Sequence, residues 1–170
     1  PLPGRPPVIL DFATSVIAQG KTRVAHNKGD AVAPGQLIDD QGQPTTDPRY
    51  TVVPPFGALL TFGGEQGSHK GYGLALMCEL LGGALAAGLT QHVPADARLR
   101  VLNGMFSVLV DPAQLADRSA FEAEAQAFID WTRASPVREG FDGIQIAGEP
   151  ERAMRAQRSA QCVPVDATTW

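Results

Sequence analysis

The chain contains 170 residues, of which 44% are apolar and 19% are charged, and its formal net charge is −4. This composition is typical of a globular domain with a core, and it excludes a disordered or collagen-like chain. Apart from three arginines between positions 152 and 158, the basic residues do not cluster, so nucleic-acid binding is disfavoured.

The cysteines and histidines limit the kinds of site that are expected. Cys78 and Cys162 are too few for a disulfide framework, so a reducing compartment, the cytoplasm, is the expected location. None of the three histidines lies at zinc-like spacing from a cysteine or an acidic residue, so no metal site is expected. We expect neither a signal peptide nor a membrane span. Both termini resemble cut ends, and we expect the chain to be a piece of a longer protein.

The first third of the chain is predicted to contain a strand, a helix and a long loop. The apolar residues 8–10 predict a buried strand that ends at Asp11. Residues 16–25 predict a short helix capped by Ser15. The density of turn-forming residues between positions 27 and 56 predicts a long surface loop.

A glycine-rich stretch over residues 63–73 carries the most specific chemical signal. It contains His69 and Lys70 and leads into an apolar helix predicted over residues 74–89. Because glycines let a ligand approach the backbone and helix N-termini attract anions, the stretch predicts a phosphate site, most simply for a nucleotide. Its spacing fits neither a P-loop nor the dinucleotide fingerprint. The alternative is that the glycines permit close packing and that Lys70 is only solvated.

The second half of the chain is predicted to mix strands and helices. Residues 101–111 predict a strand that is interrupted at 103–104, and residues 143–148 predict a short strand. A capping box that starts at Ser119 precedes an amphipathic helix. A last helix begins at Glu149, with acidic residues first and arginines later, as the helix dipole favours. Since no regular βαβ repeat is visible, the predicted fold class is α+β.

Three positions are candidates for ligand contacts, each with an ordinary structural alternative. Asp11 ends an apolar strand, where ligands commonly bind, but it could instead cap the next helix. Residues 148–150 offer backbone N–H groups at a helix start, or they form an ordinary N-cap. His69 is a general acid or base, a cofactor contact or simply a helix residue. A cofactor contact is favoured, because the helix dipole opposes its protonated form.

Several short motifs, taken in chain order, resemble a single family. They cover residues 8–15, 20–21, 42–48, 69–77, 103–106, 155–159 and 163–166. With them, the chain resembles the malate/L-lactate dehydrogenase family, which also includes sulfolactate, ureidoglycolate and diketogulonate/piperideine-carboxylate oxidoreductases. The resemblance extends over nearly all of the chain.

The resemblance implies an oxidoreductase that transfers a hydride between NAD or NADP and a small 2-hydroxy or 2-keto acid. It implies a mixed, largely antiparallel sheet with packed helices, a cofactor fold different from the Rossmann fold, and a homodimer. It also implies a set of cofactor-binding positions, the last three by a looser match: Asp11, Phe12, Ala13, Thr14, His69, Lys70, Gly148, Glu149 and Pro150.

The family's catalytic histidine lies before the matched region, and neither His26 nor His92 matches its motif. Residues 1–170 are therefore expected to form the cofactor-binding and C-terminal portion of a dehydrogenase, to be inactive alone and to associate with the missing N-terminal portion. Asp11 is a candidate for orienting that histidine. One alternative is a non-catalytic nucleotide-binding or interaction module derived from the family. A weaker alternative is a Mg²⁺-dependent nucleotidyl- or phosphotransferase.

Overall fold

A computed structural model describes residues 4–90, 92 and 103–170. The chain divides into two compact units, and each unit is made of two separate segments. The first unit comprises Pro1–Phe12 and Val108–Pro164, and the second comprises Ala13–Ser107 and Val165–Trp170. Because helices and a small antiparallel sheet are both present, the predicted α+β class is confirmed.

The second unit begins with helix α1, Gln19–Lys28. The helix starts three residues later than predicted, after Ala18, and no side chain caps it. Ser15 was expected to be the cap, but its hydroxyl donates to the carbonyl of Ile17 instead (2.8 Å). Gly29 ends the helix with φ 75°, a conformation that glycine adopts at little cost.

A three-stranded antiparallel sheet follows α1. Its strands are β1 (Leu37–Ile38), β2 (Pro44–Thr45) and β3 (Ala58–Leu59), in the order β2-β1-β3. The prediction of a long surface loop over residues 27–56 was therefore wrong. The turn-forming residues connect two-residue strands, which are too short to show an alternating apolar pattern in the sequence.

The buried core of the second unit lies around a short 3-10 helix, Pro48–Thr51, which contacts both α1 and the sheet. Leu37 of β1 and Thr22 of α1 are fully buried, and Val32 is nearly so. The Thr22 hydroxyl lies 2.8 Å from the carbonyl oxygen of Gln19 and 2.7 Å from the hydroxyl of Thr51. These hydrogen bonds offset the cost of removing a polar group from water.

Helix α2, Gly64–Cys78, follows the sheet and continues as a π-helical segment, Glu79–Leu85. The stretch predicted as a glycine-rich loop is thus helical from Gly64 onward. Gly71 is buried, and a Cβ atom added there would lie 2.2 Å from the carbonyl oxygen of Phe62. Because glycine has no side chain, helix α2 can lie in direct contact with the backbone of Phe62 at this position.

The last residues of the chain return to the second unit. Asn27 at the end of α1 donates its side-chain amide to the hydroxyl of Thr169 (3.1 Å). The hydroxyl of Thr168 donates to the carbonyl of Asn27 (3.3 Å). The segment Val165–Trp170 is therefore hydrogen-bonded to α1.

The first unit contains two longer helices, α3 (Arg118–Arg133) and α4 (Glu149–Gln161). Both helices were predicted, but the cap of α3 differs from the prediction. Asp117 accepts a hydrogen bond from the backbone N–H of Ala120 (2.8 Å), whereas Ser119 lies inside the helix and donates to Asp117. Aspartate is among the strongest N-cap residues, so the cap simply lies two positions earlier.

The strands predicted over residues 8–10, 101–111 and 143–148 are not formed in the described residues, and 101–102 lie outside them. The first and last of these segments do meet, because the N–H of Ile9 donates to the carbonyl of Ala147 (3.0 Å). A single hydrogen bond does not make the ladder of backbone hydrogen bonds that pairs two strands. The apolar pattern was identified correctly, but a strand requires repeated pairing with a neighbour.

Many large apolar side chains of the described residues are exposed. In the first unit they include Leu10, Leu109, Phe128 and Trp131, and in the second they include Tyr72, Leu76 and Leu80. Val32 and Leu37, by contrast, are the apolar residues that the described part of the chain buries. The chain therefore presents far more apolar surface than an ordinary monomer of its size.

Two glycines of α2 provide a test of the contact with Phe62. We expect Gly71→Ala to lower the unfolding free energy by roughly 1–3 kcal/mol, the usual cost of overpacking, because its Cβ collides with backbone that cannot rotate away. Gly73 has no atom within 4 Å of an added Cβ, so Gly73→Ala should stabilise the helix by up to about 1 kcal/mol. Urea titration followed by circular dichroism measures both. Equal effects of the two variants would contradict the close contact.

Candidate functional site

The start of α2 is a helix N-terminus without a side-chain cap. Gly63 occupies the N-cap with φ 111°, and Gly64 follows with φ 63°. The first N–H groups of a helix have no partner within it, and they carry the positive end of its dipole. The start of α2 is therefore chemically suited to an anion.

Hydrogen bonds fix this helix start against the first residues of the second unit. The N–H of Phe62 donates to the carbonyl of Thr14 (2.9 Å), and Ser15 forms an isolated antiparallel bridge with Thr61. The hydroxyl of Thr61 donates to the carbonyl of Ser68 in the helix (2.8 Å). Thr14 and α2 are thus held together through two intervening residues.

His69 and Lys70 are both exposed and lie in the second turn of α2. They were predicted to lie on a loop before the helix, so that part of the prediction was wrong. Their backbone groups belong to the helix, and only their side chains are available to a ligand. By helical spacing, Lys70 shares a face with Gly63 and Gly67. A Cβ at Gly67 would meet no atom within 4 Å, so this face of the helix is open.

The other predicted residues of the first segment fall at the boundary between the two units. Asp11 and Phe12 end the first segment of the first unit, and Ala13 and Thr14 begin the second unit. Asp11, Phe12 and Ala13 are exposed, and Thr14 is partly buried. The structure therefore joins Thr14 to the His69–Lys70 helix within one unit, whereas Asp11 and Phe12 belong to the other.

Residues 148–150 form a second glycine-led helix start, in the first unit. Gly148 is buried, has φ 96° and is the N-cap of α4, and Pro150 lies in the first turn. A Cβ at Gly148 would lie 3.2 Å from the backbone nitrogen of Ile9. Both the positive φ and this contact require glycine, so the sequence signal here has a structural cause.

The carboxylate of Glu149 is engaged inside the first unit. One oxygen accepts a hydrogen bond from the backbone N–H of Ile146 (2.8 Å), and the other pairs with the guanidinium of Arg133. The hydrogen bond from Ile146, assisted by Arg133 and Arg152, holds the pKa of the Glu149 carboxyl below its ordinary value. Glu149 therefore anchors the start of α4.

Two residues that shape these sites were missed in the sequence. Arg133, which pairs with Glu149, lies in another helix, and no local pattern links the two positions. Thr61 was also missed. Gly71 was a signal for the backbone of its neighbour Phe62, since a glycine in the middle of a helix indicates close packing, but not for the hydroxyl of Thr61.

The described residues contain no group of three or more His, Cys, Asp or Glu side chains that could hold a metal ion. In the same part of the chain, no helix is both long and apolar enough to cross a membrane.

Comparison with known proteins identifies the family. The family model described as malate/L-lactate dehydrogenase matches residues 1–170. The chain belongs to this family. It is 44% identical over 169 residues to hydroxycarboxylate dehydrogenase B of Escherichia coli K12, covering 96% of this chain and 44% of that protein. It is 42% identical over 161 residues to L-lactate dehydrogenase of Cupriavidus necator, covering 94% and 45%.

Solved structures of the family share this architecture. Sulfolactate dehydrogenase from Methanocaldococcus jannaschii matches with a TM-score of 0.69 and 30% identity, over 94% of this chain and 44% of that one. The chain therefore spans less than half the length of the family members that it matches.

The anchoring role of Glu149 makes the stability of this family member depend on pH. Because folding lowers the pKa of this carboxyl, its contribution is present above the unfolded pKa and is lost as the pH falls through the folded pKa. We expect Glu149→Gln to be less stable than the wild type at neutral pH, and the difference to shrink as the pH falls below the ordinary carboxyl value of 4.5.

Thermal unfolding between neutral and acidic pH checks this expectation. Glu151→Gln is the matched control, because it removes the same charge from the same first turn of α4. Its stability curve should run nearly parallel to that of the wild type. Identical curves for the two variants would show that the bonds to Ile146 and Arg133 add nothing.

Proposed function

We propose that this chain is the cofactor-binding part of an NAD(P)-dependent oxidoreductase that interconverts a small 2-hydroxy acid and the corresponding 2-keto acid. Membership of the malate/L-lactate dehydrogenase family supports the reaction class. The relatives named as hydroxycarboxylate and L-lactate dehydrogenases support the kind of substrate. Because the chain spans less than half of each, the rest of the enzyme supplies the remaining groups.

The uncapped start of α2 is the observation that carries the proposal. A dinucleotide contains a pyrophosphate, and a glycine-led helix N-terminus offers it N–H donors and a positive dipole. A side chain at Gly67 would occupy space that is open here, next to the path from the helix start to Lys70. The residues present therefore fit a nucleotide phosphate, in a fold other than the Rossmann fold.

Lys70 is proposed to add a cation to this site. It lies six residues after Gly64, roughly 9 Å along the helix axis, and helical side chains lean toward the N-terminus. A lysine of this placement and exposure is suited to a phosphate or ribose oxygen beside the helix start. Next to it, His69 is proposed as a second cofactor contact, and Thr14 is held nearby through Phe62.

The remaining positions are proposed to contact the cofactor from the segment 11–13 and from the start of α4. Since the oxygens of Glu149 already bind Ile146 and Arg133, this residue would act through the backbone of the helix start and not through its carboxylate. Asp11 has an exposed carboxylate, and it is proposed to orient a proton-transferring histidine from the rest of the enzyme.

These placements suggest which steps this chain and the rest of the enzyme each carry out. When bound, the nicotinamide supplies or accepts the hydride, and the chain binds and orients it. The histidine that moves the hydroxyl proton, worth roughly 10²–10⁴-fold in rate, is proposed to come from outside these residues. The exposed apolar side chains of α2, such as Tyr72 and Leu76, support the further proposal that the complete enzyme is a homodimer.

Calorimetric titration of the chain with NADH and NADPH tests the cofactor site and selects between the two nucleotides. We expect Lys70→Ala to weaken the preferred nucleotide roughly tenfold to hundredfold, the range of one charge-assisted hydrogen bond. Lys28→Ala, which removes an exposed lysine at the end of α1, should leave the affinity unchanged. Equal losses in both variants, or no binding to a chain that is folded by circular dichroism, would refute the site.

A chimera separates an enzyme from a non-catalytic nucleotide-binding module. In it, this chain replaces the 169 matched residues of the E. coli hydroxycarboxylate dehydrogenase B. We expect the chimera to reduce 2-keto acids with consumption of the reduced nicotinamide, followed by its absorbance, and we expect Lys70→Ala to raise the KM for the cofactor. A folded chimera that binds nucleotide but has no activity would favour the module.

A further inference from the structure

An apolar groove runs along α3 in the first unit. It encloses about 430 Å³. Its lining consists of apolar side chains and one threonine: Val8, Phe121, Ala125, Phe128, Ile129, Thr132 and Ile146. We call it the α3 groove. No charged side chain is among these lining residues, so whatever fills the groove must be apolar.

An exposed aromatic pair adjoins the α3 groove, since one of its members, Phe128, lines it. The rings of Phe128 and Trp131 are stacked, with their centroids 6.0 Å apart. Phe128 is 62% exposed and Trp131 is 69% exposed. Stacked aromatic side chains contribute most when they are buried, and aromatic residues are enriched at the centres of interfaces.

Among the described residues of the unit, four of the five charged side chains on α3 are paired, and Glu124 is the exception. Asp130 accepts a hydrogen bond from Arg5 (2.9 Å), Arg118 pairs with Glu122 (2.8 Å), and Arg133 pairs with Glu149. Transient partners are commonly steered by complementary charge, whereas permanent interfaces are mainly apolar. The combination of paired charges and an apolar groove indicates a permanent occupant.

The length of the relatives indicates where that occupant comes from. The relatives contain more than half of their length outside the region that this chain matches. A covalently linked segment is always present, and it can cover an apolar groove from the time of folding.

We propose that the α3 groove is the docking surface for an apolar segment of the same polypeptide, contributed by the part of a full-length family member that lies outside these 170 residues. The segment covers Phe128 and Trp131 and fills the space between α3 and the residues Val8 and Ile146. The groove thus joins the first unit to the remainder of the enzyme, separately from any cofactor contact.

The fluorescence of Trp131 tests the proposal, because its ring stacks on Phe128, which lines the groove. Emission and acrylamide quenching are measured in the isolated chain and in the E. coli chimera, each against its own Trp131→Phe variant so that the difference isolates Trp131. We expect a shift to shorter wavelength and a severalfold fall in quenching in the chimera. The remainder of the E. coli protein, added as a separate polypeptide, should produce the same shift.

Two serine variants of α3 localise the effect. Phe128→Ser should lower the melting temperature of the chimera by several degrees and hardly affect the isolated chain. Ala123→Ser is the control, because residue 123 is exposed and lies on the opposite side of the helix by spacing. It should change neither protein.

Two outcomes would overturn the proposal. If quenching of Trp131 is equal in the isolated chain and the chimera, the remainder of the enzyme does not cover the groove. If Trp131 is already shielded in the isolated chain, and Phe128→Ser dissociates an oligomer seen by sedimentation, a second copy of the chain is the occupant. Neither readout uses activity or nucleotide, so failure here is distinguishable from failure of the proposed function.

Discussion

Helix α2 can start where it does because glycines remove side chains from the space between the helix and the residues before it. Gly71 rests against the backbone of Phe62, and Gly63 provides the positive φ that turns the chain into the helix. Phe62 in turn holds the carbonyl of Thr14, and Thr61 holds Ser68. The position of Lys70, the open face at Gly67 and the uncapped end of the helix all depend on this contact. A larger residue at position 71 would separate the helix from the segment that carries Thr14.

The elements that were predicted correctly are those with signals inside a single segment. Helices α3 and α4 have amphipathic patterns, α3 begins at a capping aspartate and α4 has acidic residues in its first turn, and these are local properties. The strands were predicted poorly. Residues 8–10 have the composition of a strand but make one hydrogen bond, to Ala147, which lies far along the chain. Conversely, β1 and β2 have two residues each and lie within a segment rich in turn-forming residues, so no periodicity could reveal them.

The candidate site follows the same rule. The glycine spacing and Lys70 led to the prediction of an anion-binding helix start, and the structure shows an uncapped helix start there that begins earlier than the pattern suggested. The family motifs identified residues 148–150, and the structure adds that Gly148 is required by its backbone and that Glu149 is occupied by Arg133. No sequence pattern could supply that pairing, because it depends on how α3 and α4 pack in the first unit. Features determined within one segment, such as the helix start near Lys70, could therefore be predicted from the sequence. The pairing of Arg133 with Glu149, which joins two segments, could not.

The two units are interleaved along the chain, and this affects how the protein is made. Residues 4–12 are synthesised well before the other segment of their unit, which begins at Val108, after nearly all of the second unit. Until then, apolar residues such as Ile9 and Leu10 have no partner from Val108–Pro164, and Ile9 cannot bond to Ala147. The second unit can form early, and Asn27 gains its hydrogen bond to Thr169 only when the last residues have been made. Between the synthesis of Leu10 and that of Val108, the nascent chain therefore carries an apolar segment without its partner, which is the kind of segment that ribosome-associated chaperones bind.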